Sequence, residues 1–238
     1  MIPFGSCVED AKTYGLETWF GYWTSILQVV RIFIQFLGRK AMMLQQLCNR
    51  LHVPCKLYNY PNWDCPEQLD YFDMYGAARN ALLDVASPQR PAVVLAASMG
   101  CHFSLRLALE LPDLVAAIVS VGGTFNPGSR WEANDMSDWI SVTSPYAADE
   151  GVYKLQRKFL SDLRANYIAE FADLLLPVDV VHGTSDESVP VETGEKLAKL
   201  LPNAKLYLIE GGDHRLSSDA ELKIIESLLE RHIHARDA

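Results

Sequence analysis

The stretch from Pro91 to Leu111 constrains this chain most. Ala92 to Ala96 is a short apolar run of the kind that forms a strand buried on both faces. Met99, Phe103, Leu107 and Leu111 then recur at helical spacing, and Pro112 stops the helix. Between strand and helix lies Ala96-Ala97-Ser98-Met99-Gly100. A serine at so sharp a turn takes a strained backbone conformation, and its neighbours two before and two after nearly touch. Both must therefore be small, as Ala96 and Gly100 are. An ordinary loop that happens to contain serine has the same five letters, so the rest of the chain must decide.

The turn matches the nucleophile elbow Gly-x-Ser-x-Gly with alanine for the first glycine. Such a turn lifts the Ser98 hydroxyl clear of the sheet, and the Met99 amide at the helix start can donate to a developing oxyanion. Two partners follow downstream. Val178 to Val181 is a second apolar strand, and Asp186 lies in the turn beyond it, where parallel α/β sheets place their sites. A third strand, Ala204 to Ile209, runs into Glu210-Gly211-Gly212-Asp213-His214-Arg215. Ser98, Asp186 and His214 thus fall at three strand ends, in the order serine, acid, histidine. Asp186 read alone is also a fitting N-cap for a helix from Val191 to Leu201, and His214 a fitting solvated loop residue. Glu187 and Asp213 are the rival acids. Asp213 adjoins the histidine in sequence, which turns its side chain elsewhere and favours Asp186.

At 238 residues the chain fits one domain with a sizeable core. A net charge of −9 without any basic run argues against a nucleic-acid partner. Five cysteines, Cys7, Cys48, Cys55, Cys65 and Cys101, are odd in number and lack metal-ligand spacing, so a reduced compartment, cytoplasmic or mitochondrial, is expected. Cys101 reads as helix packing. Glu9 and Asp10 interrupt the start of the chain, against a secretory signal. Trp19 to Leu37 is strongly apolar, but Arg31, Gln28 and Gln35 interrupt it, whereas a membrane span needs about twenty apolar residues. A central strand from Val29 to Phe36, preceded by an edge strand or hairpin, is the expectation.

Ala41 to His52 and Leu69 to Val85 have helical spacing, Cys55 to Tyr60 reads as a strand, and Val115 to Val121 as a buried strand ending at Gly122-Gly123. Strands alternating with helices imply an α/β fold, a mainly parallel sheet with helices on both faces. Thr124 to Leu176 breaks the alternation. With Trp131, Trp139, Tyr153 and Phe159 it reads as a small helical lid whose aromatics line an acyl pocket, or else simply pack the lid onto the sheet. Val152, Leu155, Phe159 and Leu163 suggest one helical face. Residues 1–238 are expected to form a single domain with that insertion at about 124–176. His232-x-His234 reads as a fraying helix tail, and neither metal nor organic cofactor is implied.

With these residues placed, the chain resembles the α/β-hydrolase superfamily of serine hydrolases. More narrowly, it is similar to the mitochondrial palmitoyl-protein thioesterase and acyl-glucuronide esterase group with its bacterial relatives. The carrying features are Tyr146 with Glu150-Gly151-Val152-Tyr153, His182-Gly183-x-x-Asp186-x-x-Val189-Pro190, Gly212-Asp213-His214-Arg215, and Lys40-Ala41 with Leu47-Cys48. The resemblance implies Ser98 as nucleophile, His214 as base, Asp186 as its orienter, and an acyl ester, thioester or acylated protein as substrate. It also implies a second oxyanion amide from the loop before the first helix, at Leu37 or Gly38. Here Gln35-Phe36-Leu37-Gly38-Arg39-Lys40 runs almost directly into that helix, a shorter loop than the family carries. Two functions follow as expectations: acyl transfer to water through an acyl-enzyme, with activity falling on acidification as the histidine base takes up a proton, or a catalytically silent domain of the same fold acting as a binding or scaffold protein.

Overall fold

The computed structural model describes residues 27–29, 38–62, 65–129, 138–143 and 152–235. Its main sheet has the strand order β1 (Leu27–Val29), β2 (Ala92–Ala97), β3 (Val115–Val121), β6 (Val178–Gly183), β7 (Ala204–Ile209). β2, β3, β6 and β7 are parallel, and β1 runs antiparallel on the outer edge of β2. Helices α1 (Arg39–Leu51), α2 (Tyr71–Leu83), α3 (Gly100–Glu110), α5 (Val191–Leu200) and α6 (Asp219–His234) cover the sheet.

The central strands β2 and β3 are apolar on both faces because each face has its own helical layer. Val94, Ala96, Ile118 and Val180 point into one core with Phe103, Leu107 and Leu197 of the helices. Val93, Leu95, Val119 and Val181 point into the other, against Leu44 and Leu47 of α1 and Ile225 and Leu229 of α6. The period-two alternation therefore sorts two apolar sets rather than inside from outside. Each fully buried aliphatic side chain in these layers contributes about 1.5–3 kcal/mol from removal from water. Two helix starts are set by local chemistry: the Asp70 side chain accepts from the Phe72 and Asp73 amides at α2, and Ser218 with Glu221 forms a capping box at α6.

Between β3 and β6 lie a two-stranded antiparallel sheet, β4 (Trp139–Thr143) with β5 (Val152–Gln156), and helix α4 (Arg157–Ala165). The insertion thus contains a helix, as expected, but Val152 and Leu155 belong to a strand ahead of it. Strand geometry puts residues three apart on opposite faces, and Val152 is 40% exposed while Leu155 is fully buried.

Two further expectations meet a different local structure. Among the described residues Cys55 to Tyr60 joins no named strand, although Lys56 makes a single bridge. Its apolar character comes from packing, with Cys55 in one core and Tyr60 in the other, edge-on to Phe103 at 5.6 Å. The C-terminal histidines do not lie on a fraying tail, since α6 continues to His234. His232 Nε2 sits 2.6 Å from Asp179 Oδ2, and Arg231 Nη2 donates to the same oxygen at 2.5 Å. Asp179 is buried in β6, so its charge needs those partners. The expected central strand over Val29–Phe36 lies, apart from Val29, outside the described residues.

Candidate active site

The aligned carboxyl ends of β2, β3, β6 and β7 bring the site together. Ser98 follows β2 directly and has φ +51, the left-handed conformation that an ordinary side chain adopts only under constraint. The constraint is visible in the main chain. The Ser98 amide donates to the Val121 carbonyl at 3.1 Å, and the Ser98 carbonyl accepts from Cys101 and Thr124, each at 3.1 Å. Ala96 is fully buried beneath the turn, where a larger side chain has no room.

His214 Nε2 lies 3.1 Å from Ser98 Oγ, and His214 Nδ1 lies 2.8 Å from Asp186 Oδ2. An ionised carboxylate can only accept, so Nδ1 carries a proton and Nε2 presents its lone pair to the hydroxyl. The other carboxylate oxygen of Asp186 accepts from the amides of Ser188 at 2.9 Å and Val189 at 2.7 Å. Burial alone would raise the Asp186 carboxyl. Hydrogen bonds from His182 and His214, the charge of His214 and the Val189 amide outweigh it and hold the group well below the usual carboxylate range. Of the rival acids, Asp213 turns away: its Oδ1 accepts from the Arg215 and Leu216 amides at 2.9 and 3.0 Å, closing the loop that carries His214.

Several site residues carry no signal in sequence reasoning that looks for chemistry. Gly122 has φ +52, and a Cβ there would stand 2.9 Å from the His214 carbonyl oxygen and 3.4 Å from Asp186 Oδ2. A Cβ on Gly183 would meet the Gly212 carbonyl oxygen at 2.2 Å. Glycine at both places lets the three strand ends converge. His182, fully buried, sits 3.4 Å from Asp186 Oδ2 and 2.9 Å from the Val189 carbonyl through Nε2, bracing the acid's turn. Only the strand-end glycines, read as places of close backbone approach, could have pointed to this crowding.

The remaining expected residues divide. Met99 is the N-cap of α3, so its amide stands at a helix start beside Ser98. Gly38 is the N-cap of α1, and among the described residues none comes within 4 Å of a Cβ placed on it. Leu37 and Trp131 lie outside the described residues, and of Tyr153 only its place in β5 is described. Trp139 opens β4 and is 40% exposed. Phe159 is 1% exposed and sits in the apolar core with Leu155, Leu160 and Leu163, so its observed role is packing. Cys101 is fully buried, and burial pushes its thiol up to about 12 against the lowering effect of the Ser120 hydroxyl, which makes it unreactive. Among the described residues no group of three or more His, Cys, Asp and Glu side chains could hold a metal ion, and no helix is long and apolar enough to cross a membrane.

No family model matches the sequence. The chain is 44% identical over 43 residues to the non-heme chloroperoxidase CPO-A1 of Kitasatospora aureofaciens, a match spanning 18% of this chain and only 16% of that protein. Likeness to solved structures extends much further. The mouse alpha/beta hydrolase domain-containing protein 10 superposes with a TM-score of 0.73 at 19% identity, covering 86% of this chain and 87% of that one. Est1E from Butyrivibrio proteoclasticus, with ferulic acid bound, gives 0.64 at 18% identity, covering 84% and 83%. The monoacylglycerol lipase of Paleococcus ferrophilus gives 0.62 at 12% identity, covering 86% and 92%. A parallel sheet flanked by helices, with these structures superposing over most of its length, gives this chain the α/β-hydrolase fold.

Proposed function

We propose that this protein is a serine hydrolase that cleaves an ester or thioester of an apolar acyl group through a covalent acyl-enzyme. Ser98 Oγ attacks the acyl carbonyl while His214 Nε2 takes its proton. Asp186 holds the ring in the required tautomer and stabilises its cationic form. The Met99 amide, with an amide near Leu37 or Gly38, receives the oxyanion. His214 then returns the proton to the leaving group, and the Ser98 ester is hydrolysed by water with His214 again as base.

One observation carries this reading: a serine at positive φ, 3.1 Å from an imidazole that is itself 2.8 Å from a buried carboxylate. A buried acid stays ionised only where partners offset its desolvation, and here one of those partners is the histidine that reaches the strained serine. The monoacylglycerol lipase among the structural neighbours agrees with the reaction class. The apolar acyl group rests on the aromatic insertion, of which Trp139 is the exposed aromatic in β4. A fluorophosphonate probe tests the proposal. Labelling of the wild type that disappears in Ser98→Ala supports it, and a folded wild type that resists labelling defeats it.

The second reading, a silent domain of the same fold that binds rather than cleaves, is favoured by α1 beginning at Arg39, immediately after Gly38. If the second oxyanion amide were missing, turnover would fall by about a hundredfold to a thousandfold. Slow labelling that still depends on Ser98 would place the protein between the two readings.

A further inference from the structure

We propose that Lys40 is a positioning residue for His214, acting through the loop that joins β7 to α6. This deepens the hydrolase reading, which supplies the reason His214 must be held.

Lys40 is the second residue of α1, and its Nζ donates to the carbonyl oxygen of Arg215, one residue beyond His214. The side chain is half-buried, and burial pushes its ammonium down to about 8, against the nearby carboxylates of Asp213 and Glu221, which raise it. An ammonium is kept in so dry a place only where it has a partner.

On its β7 side the Ser185 amide donates to the Gly212 carbonyl at 2.9 Å and the Thr184 hydroxyl accepts from the Gly211 amide at 2.8 Å, so it is the α6 side of the loop that needs an external hold. Its own bonds close the turn around Asp213, but Leu216 behind it has φ +42, a conformation unfavourable for leucine. Lys40 therefore supplies a directed bond from the α1 side to the segment bearing the imidazole. The two helices do not depend on it for their own packing. Arg39 pairs with Asp219 at one end, and Arg50 pairs with Glu226 at 2.7 Å and Glu230 at 2.8 Å at the other. Leu44, Leu47, Ile225 and Leu229 fill the space between. Removing the ammonium should thus loosen the loop and leave the helix pair in place. Lys40 also stands two residues after Gly38, so one strut ties the expected oxyanion loop to the base.

Lys40→Met, which keeps the aliphatic stem and removes the donor, is the test. With a p-nitrophenyl acyl ester, kcat should fall about tenfold to a hundredfold, the scale of a misplaced catalytic group, with KM changed less than about twofold. The low-field proton resonance of His214 Nδ1–H, assigned by its absence in His214→Gln, should weaken or broaden. Lys40→Arg, which retains a donor, should recover most of both. A folded Lys40→Met protein with wild-type kcat and an unaltered His214 resonance overturns the proposal. If Lys40→Met loses cooperative unfolding, Lys40→Gln replaces it with the same expectations, and collapse of both variants overturns the claim that the loop alone depends on Lys40. A wild type without turnover or probe labelling would defeat the hydrolase reading, while the resonance would still decide the positioning role.

Discussion

The carboxyl end of the parallel sheet and the insertion above it are built on different principles. At the sheet end, Ser98, Asp186 and His214 sit on segments fixed by main-chain bonds between neighbouring strands, and their backbones are crowded to the point that only glycine fits at Gly122 and Gly183. The insertion is held chiefly by side chains. Asn126 and Arg106 reach the carbonyls of Ile168 and Asn166, Gln156 reaches the Glu67 carbonyl, and Lys158 pairs with Asp70 at 2.7 Å across exposed surface. Exposed pairs of that kind contribute about 0–1 kcal/mol each. The contrast teaches that changes at the sheet end should strike turnover, whereas changes in the insertion should strike affinity.

The largest expected effect is at the acid. Asp186→Asn keeps the shape but leaves His214 Nδ1 facing an amide, so kcat should drop by about ten-thousandfold, and the melting temperature should fall too as the charged hydrogen bonds to the buried carboxylate are lost. A loss under tenfold would break the contrast from the chemical side. Next comes Gly122→Ala. Its Cβ would press on the His214 carbonyl at 2.9 Å, and its φ of +52 is unfavourable for alanine. About 1–3 kcal/mol of stability should be lost, read by denaturant titration, together with most of the turnover.

Acid sensitivity gives a third test. His102 is fully buried in α3, and burial, with the nearby Arg106 charge, pushes it down to about 3. A histidine lowered on folding binds protons more readily unfolded than folded. Its contribution is therefore fully present above the unfolded imidazole value of about 6.5 and is lost progressively toward about 3. The melting temperature should fall across that interval in the wild type and fall less steeply in His102→Gln. The smallest effect is expected in the insertion: Trp139→Ala, at a 40% exposed position, should shift stability by no more than about 0.5 kcal/mol and should raise KM for apolar esters rather than lower kcat. A kcat loss there as large as that of Asp186→Asn would erase the distinction between the two regions.

The same contrast explains what could be read from the letters alone. β3 and β7 were legible to the residue: β3 is an almost wholly buried apolar run, while β7, half-buried to exposed along its length, is bracketed by Pro202-Asn203 and Gly211-Gly212. That Ser98, Asp186 and His214 come together was legible because the proposed chemistry demands particular residue types at strand ends. The β4–β5 hairpin was not. Val152, Leu155, Phe159 and Leu163 recur at spacings that suit a helix, and only the fold reveals that the first two lie on opposite faces of a strand. The positioning contact of Lys40 escaped for another reason: it reaches a backbone carbonyl far away in sequence, which leaves no local pattern.

The Asp179 carboxylate in the middle of the sheet has a consequence for how the molecule is made. Its counter-charges, Arg231 and His232, belong to the final turns of α6. A nascent chain emerging from the ribosome holds all the strands before it holds these two residues. Until they arrive, closing the sheet around a bare negative charge would cost about 3–5 kcal/mol, a large share of any small domain's stability. The architecture therefore defers part of its stability to the last turns of α6, and a chain cut before Arg231 should be less stable by about that amount.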